Sequence, residues 1–461
     1  MRHFNNKMEG TKVEEDGPSY FRAYLTALTV TILNFSTGAV MGWSSPILPK
    51  LNLTTHEQSL VGSLYSLGAA PGPFIITFGI DTIGRKGMIY VLWASFMISW
   101  IIMICSQNLY VIYIARLIGG LGVGGACSGI PVFIAELALP EIRGRLGTLT
   151  GLSFSVGILI MYGVGPYVTY TTLAILGVGL AAIFVVFFYF VPESPYYYCK
   201  KGMRKEAEEA LQKLRGYRTR EKLEEELAEI EKTIRLDEEN AVGFWEAIKQ
   251  PVAIKAICLG ILVVTIQQSQ GGNPLGAYNQ IIFENAKLNF PASTVPVISL
   301  LVGVVLSPLP VLLVNKVMGV KTAVIISGIG TSVFLALLGL YFYLINSGGV
   351  DLYDYSYISV VFLLLLNLFN GLGVGILTWP IVAEILPLSV KGIGTGICGF
   401  ISSLVGFLFL AVYPIVAENY GYSTNFFGFA ILLLILIAIF KFTVPDTTGK
   451  TLQEIQEMLA K

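Results

Sequence analysis

The chain has 461 residues, 54% of them hydrophobic and 13% charged, with a mean hydropathy of +0.71. A soluble domain carries about 25% charged residues, so these proportions exclude a soluble globular protein and imply an integral membrane protein. The 30 basic and 30 acidic residues cancel, which gives no hint of a nucleic-acid partner.

A spanning helix needs about 20 mainly apolar residues. Residues 1–19 are polar and lack an apolar core, so they read as a cytoplasmic tail and not as a cleavable signal, with the first span as the targeting signal. Charge-free runs 23–49 and 58–80 hold one span each. Run 87–135, interrupted only by Arg116, holds two, and so does 146–192, which turns near Gly165-Pro166. After a charged middle, runs 256–283, 288–315, 322–350, 355–383, 392–417 and 419–440 hold one each, twelve spans in all.

Loops after odd-numbered spans contain only Lys50 and Lys287 as cations, whereas those after even-numbered spans contain Arg85, Lys86, Arg143, Arg145, Lys316, Lys321 and Lys391. Cytoplasmic loops carry the excess of Lys and Arg, which predicts that both termini are cytoplasmic. Asn52 then begins an "NLT" glycosylation signal in the first outer loop, while the other such signal, at Asn34, lies inside the first span.

The fourth span ends in "PVFIAELALPEIRG" (131–144) and the tenth in "WPIVAEILPLSVKG" (379–392), with Glu136 matching Glu384 and Arg143 matching Lys391. Such an internal repeat points to two bundles around a central site. The predicted fold is an all-α membrane protein: a tail (1–19), a six-helix bundle (20–195), a cytoplasmic helical linker (196–250), a second six-helix bundle (251–444) and a tail (445–461). In the linker, Leu211 and Leu214, then Leu223, Leu227, Ile230 and Ile234, recur at helical spacing among charges, which predicts amphipathic helices lying under the bundle.

"GIDTIGRKG" (79–87) joins the second and third spans on the inside. Asp81, Arg85, Glu136, Arg143 and Glu193 share that face and can form paired charges that close the inner side and separate when it opens; Glu384 and Lys391 are second-half counterparts.

Within the seventh run, "TIQQSQGGNPLGAYNQ" (265–280) carries polar residues at mid-depth. Gln267 and Gln268 point about 100° apart on a helix. Their amides can donate to and accept from hydroxyls, and Gly271, Gly272 and Pro274 loosen the helix beside Asn273. Unpaired amides in lipid are costly, so these predict a wet cavity.

The elements "DTIGRK" (81–86), "RLIGGLGVGG" (116–125), "PVFIAELALPEIRGRLG" (131–147), "PESP" (192–195), "QQSQGGN" (267–273), Trp379 with "AEILP" (383–387) and "PDTTGKTLQEI" (445–455) resemble, in the same order, the sugar porter family of the major facilitator superfamily, especially its insect trehalose-transporter branch. The resemblance implies that Gln267, Gln268, Asn273 and Trp379 contact sugar, with Trp379 facing the apolar side of a pyranose, and that Tyr278 is an outer gate. The chain departs from the family's pattern at Gly151, Val304, Gly371, Ser402 and Ser403, where polar sugar partners or an aromatic are usual. It also places Ser36 where proton-coupled relatives have an Asp beside the fourth-span arginine, here Arg116.

These features predict a facilitative uniporter of trehalose or a hexose working by alternating access in the plasma membrane; the alternatives are a non-transporting sugar sensor and a proton-coupled symporter. The expected partners are a sugar and the lipid bilayer, with no obligate protein partner. His3 and His56 lie outside the spans and no nucleophile–base or metal-ligand cluster stands out, so neither an enzyme, a cofactor nor a metal is expected.

Overall fold

The computed structural model describes residues 20–138, 140–217, 219–239, 249–306, 318–347 and 353–460. Every helix that the hydropathy predicts is represented. Among the described residues, eleven are long and apolar enough to cross a membrane. They are Phe21–Lys50, Thr55–Gly79, Gly84–Cys105, Leu109–Leu137, Leu149–Tyr167, Tyr170–Phe188, Pro251–Glu284, Val320–Ser347, Tyr357–Ile385, Lys391–Tyr420 and Tyr422–Thr443. A shorter apolar helix, Thr294–Val305, stands in eighth place. They are referred to below as the first to twelfth spans.

Local chemistry sets the helix ends. Thr54 and Glu57 form a reciprocal capping box at the start of the second span, and Asn108 accepts from the Tyr110 amide at the start of the fourth. At the end of the first span, Lys50 Nζ donates to the carbonyls of Gly165, Pro166 and Val168 at 2.7, 2.9 and 2.7 Å, so one ammonium satisfies the turn between the fifth and sixth spans.

In the first half, the "GGLGVGG" stretch of the fourth span lies against the second-span backbone. A Cβ at Gly120 or Gly124 would run into the carbonyls of Tyr65 or Ala69. Small residues let membrane helices approach this closely, which makes the stretch a packing seam. The third span packs on the fourth and sixth, and the first on the fifth. In the second half the ninth span packs on the tenth and twelfth, and the seventh on the eleventh. The halves meet through the second span on the eleventh and the fifth on the eighth, two pairings related by the internal repeat, and through the seventh on the first.

Helices Pro195–Lys200, Arg204–Arg215 and Arg220–Glu239 follow the sixth span and define the linker face. Ala207, Leu211, Leu223 and Leu227 form a small apolar cluster. Arg215, 4% exposed, donates to the Leu137 carbonyl at 2.7 Å and pairs with Glu226 at 2.9 Å, docking the linker beneath the fourth span. At the other end of the chain, helix Leu452–Ala460 buries Ile455 and Leu459 and takes a bond from Lys255 Nζ at 2.9 Å.

Candidate functional site

The seventh span is broken where the polar run predicts. Helix Pro251–Ser269 ends in Gln267 and Gln268, Gly271 turns the chain at φ +75°, and a second helix runs over Gly272–Glu284. That positive φ favours glycine. The tenth span has a counterpart break between Tyr357–Leu372 and Val374–Ile385 at Gly373, where a Cβ would crowd the Ala323 carbonyl. Ser327 Oγ stitches this break, donating to Phe369 O at 2.6 Å and accepting from the Val374 amide at 2.9 Å.

The two breaks bring the predicted amides together. Asn273 Nδ2 donates to Gln268 Oε1 at 2.7 Å, Gln268 Nε2 donates to Ser402 Oγ at 2.7 Å, and Gln267 Nε2 donates to the Gly375 carbonyl at 3.3 Å. Ser402, read from sequence as a lost contact, therefore orients Gln268. Beside this chain lies a cavity of about 430 Å³ between the fifth, seventh, eighth and tenth spans, within the size range of small-molecule sites. Asn273 lines it, and so do Tyr162, Asn279, Ser299, Asn367 and Asn370, which the sequence reading had not singled out; no lining residue is charged. Their signal was present as polar side chains in charge-free spans, but only the fold shows which of them face the cavity. Trp379, 39% exposed, is absent from the lining and lies about a turn beyond Gly375 toward the linker face.

From mid-depth to the face opposite the linker, four of the described hydrogen bonds join the halves, and each pairs a hydroxyl with a backbone group. Ser59 Oγ donates to Ala411 O (2.5 Å), Ser66 Oγ to Ser403 O (2.9 Å) and Tyr162 Oη to Gly276 O (2.7 Å), while the Gln280 amide donates to Ser45 Oγ (3.3 Å). Tyr278 is 2% exposed and stacks on Tyr413 at 5.8 Å; its hydroxyl donates to Leu410 O at 3.0 Å, with Ser59 O of the other half 3.5 Å away. A Cβ at Gly62 would overlap its phenol, so Gly62 makes the room for this docking.

At the linker face, Arg85 donates to both Glu136 oxygens at 2.8–3.0 Å and to Asp81 at 3.1 Å. Ser194 Oγ adds a bond to Glu136, and Lys200 binds Asp81 at 2.6 Å. Burial alone would raise the Asp81 carboxyl, but Lys200 and Arg85 outweigh it and hold the group below its ordinary value. Glu193 accepts from the amides of Arg85, Lys86 and Ser194 at 2.8–3.1 Å. Its carboxylate thereby caps the third span from outside that helix, and Gly84, at φ +85°, leaves the space for it. These pairs join the second, third and fourth spans to the linker entry, all within one half, and they are intact while the opposite face is shut. The Arg143 side chain lies outside the described residues. Glu384 and Lys391 take part in no described ion pair, and Glu384 Oε2 is buried without a hydrogen-bond partner.

Arg116 is fully buried. It donates to Val61 O (3.1 Å), Val40 O (2.6 Å) and Ser44 Oγ (2.8 Å), between the rings of Trp43 and Tyr65 at 5.3 and 4.8 Å. Its partners are neutral.

The profile of the family described as "Sugar (and other) transporter" matches residues 7–459. Sugar transporter ERD6-like 6 of Arabidopsis thaliana is 31% identical over 443 residues, covering 94% of this chain and 89% of that protein. Mouse solute carrier family 2, facilitated glucose transporter member 6, is 28% identical over 94% of this chain and 90% of its own length. A facilitated trehalose transporter Tret1 from Culex quinquefasciatus is 27% identical over 95% of this chain and 86% of that protein. In fold, the chain superposes on the xylose transporter XylE from E. coli in its inward-open conformation with a TM-score of 0.77, at 20% identity over 95% of this chain and 98% of XylE.

Proposed function

The chain belongs to the family of sugar and other transporters, and on that premise we propose that it is a facilitative uniporter of trehalose or a hexose. The two halves, 20–195 and 251–444, rock about the central cavity, with the linker face and both tails toward the cytoplasm of a cell whose plasma membrane it spans. The closed far face and the half-exposed Trp379 support a state open toward the linker face. In it, Asn273 contacts sugar from the cavity wall, Gln267 and Gln268 stand behind it, and Trp379 offers its ring along the exit path. Tyr278 acts as the outer gate. Arg85, Glu136, Asp81 and Glu193, with Arg143, Glu384 and Lys391, act at the inner side.

The observation that carries uniport is the surroundings of Arg116. Ser36, 0% exposed, cannot titrate, and the described carboxylates of the spans, Glu57, Glu136, Glu284, Glu384 and Glu418, stand within the first or last turn of their spans. No described carboxylate at mid-depth can couple a proton to the movement of Arg116. Radiolabelled trehalose, glucose and sucrose are therefore expected to equilibrate across oocyte membranes without accumulating. Uphill uptake abolished by a protonophore, or a sugar-evoked inward current at acidic outside pH, overturns this reading.

Two further results are expected. Asn273→Ala removes a cavity-lining amide and its bond to Gln268, and lowers kcat/KM about five- to tenfold at unchanged surface expression; unaltered kinetics take Asn273 out of the site. Asn52, exposed in the turn before the second span, carries an N-glycan when the protein is made in a eukaryotic secretory pathway. The glycosidase-sensitive gel shift disappears in Asn52→Gln, and a shift that persists contradicts the orientation.

A further inference from the structure

The cavity holds acceptors that the seventh-span amides do not explain. Oδ1 of Asn279 and Oδ1 of Asn370 are buried without a hydrogen-bond partner, and Asn279 is only 4% exposed. Buried carboxamide oxygens are ordinarily paired, and leaving one unpaired has a free-energy cost. Both residues line the cavity. Asn279 shares one face of its helix with Gly272, Leu275 and Gly276, all at helical spacing along the cavity wall. Asn370 comes from the tenth span, one turn beyond Asn367, whose Nδ2 donates to Ser299 Oγ of the eighth span at 2.7 Å. Three helices of the second half thus present Asn279, Ser299, Asn367 and Asn370 to one space, whereas Gln267 and Gln268 each already direct an amide N–H into protein. Gly371 lies beside Asn370, and a Cβ there would meet nothing within 4 Å, so the lining is open at that position.

We infer that Asn279 and Asn370 accept hydrogen bonds from two hydroxyls of the transported sugar, and that the Asn367–Ser299 pair completes this subsite. The inference rests on the transport reading above. It makes the second half's carboxamide oxygens, rather than the glutamine pair, the groups that choose among sugars. A neutral ligand with donor hydroxyls fits, because the two oxygens need donors and no charge lines the wall.

The test uses the full chain in oocytes, with radiolabelled sugar uptake in the presence of singly deoxygenated glucoses as competitors and surface biotinylation as the control. Wild type is expected to bind at least two of the deoxy sugars about tenfold more weakly than glucose. In Asn370→Leu, glucose affinity falls about tenfold while the penalty for one particular deoxy position vanishes, because the hydroxyl and its acceptor have been removed in turn. Asn279→Leu erases the penalty at a different position. Asn370→Ser, a smaller change at a half-buried site, serves if the leucine variant fails to reach the surface. Variants at the surface that keep the wild-type ranking of the deoxy sugars overturn the assignment and leave the transport reading intact. Absence of saturable sugar uptake in wild type overturns both.

Discussion

Replacing Gly62 with valine is expected to reduce the transport rate at least tenfold while the protein still reaches the surface. The Cβ of any residue there overlaps the Tyr278 phenol in the closed far face, and the ring is fixed by Leu410 O and by stacking on Tyr413. Overpacking of this kind costs about 1–3 kcal/mol, and the whole of it falls on the state with the far face shut. A shift of about 2 kcal/mol changes the ratio of the two states roughly thirtyfold. Tyr278→Ala in the Gly62→Val background should restore part of the rate, giving a positive interaction in a double-mutant cycle. Wild-type turnover in Gly62→Val means that Tyr278 does not dock during transport.

Arg85→Ala is expected to destabilise the purified carrier by about 2–4 kcal/mol, toward the lower end for breaking a buried pair because Glu136 and Asp81 are partly solvated. The Arg85 side chain is 9% exposed and serves two carboxylates and the Ile80 carbonyl at once. Its removal leaves Glu136 with the Ser194 hydroxyl alone among these partners. A thermal midpoint in detergent several degrees lower checks the expectation. Arg85→Lys should recover less than half of the loss, because an ammonium cannot reproduce the two-pronged contact. A midpoint unchanged from wild type reduces the cluster to surface ion pairs.

The spans were legible because charge is so costly in lipid that its absence over 20 or more residues marks a helix, and the broken seventh span was legible because glycine, proline and amides cluster there. Asn279, Asn367 and Asn370 were not. A polar residue in an apolar run can face lipid, a neighbouring helix or water, and the choice depends on helix rotations set by contacts far along the chain. Ser402 could not be placed from sequence either: the departure from the family's pattern was visible there, but its bond from Gln268 Nε2 is given only by the fold. The paired charges at the linker face could be grouped from loop position, but their confinement to one half depends on how the linker folds back, as Arg215 does onto Leu137.

The Glu193 carboxylate that caps the third span lies 108 residues downstream of Arg85, whose amide it receives. For a chain emerging from the ribosome, the amides of Arg85 and Lys86 therefore wait uncapped until the sixth span has been threaded into the bilayer, and Asp81 waits a little longer for Lys200. Once residue 200 is made, that cluster needs nothing from later synthesis. The contacts across the opposite face, by contrast, begin with the seventh span and are completed only when the eleventh brings Ala411 and Ser403 to Ser59 and Ser66. The order of biogenesis is thus written into the bonds: the first half sets its own corner at the linker face during translation, and a carrier with all of its bonds across the opposite face exists only near the end of synthesis.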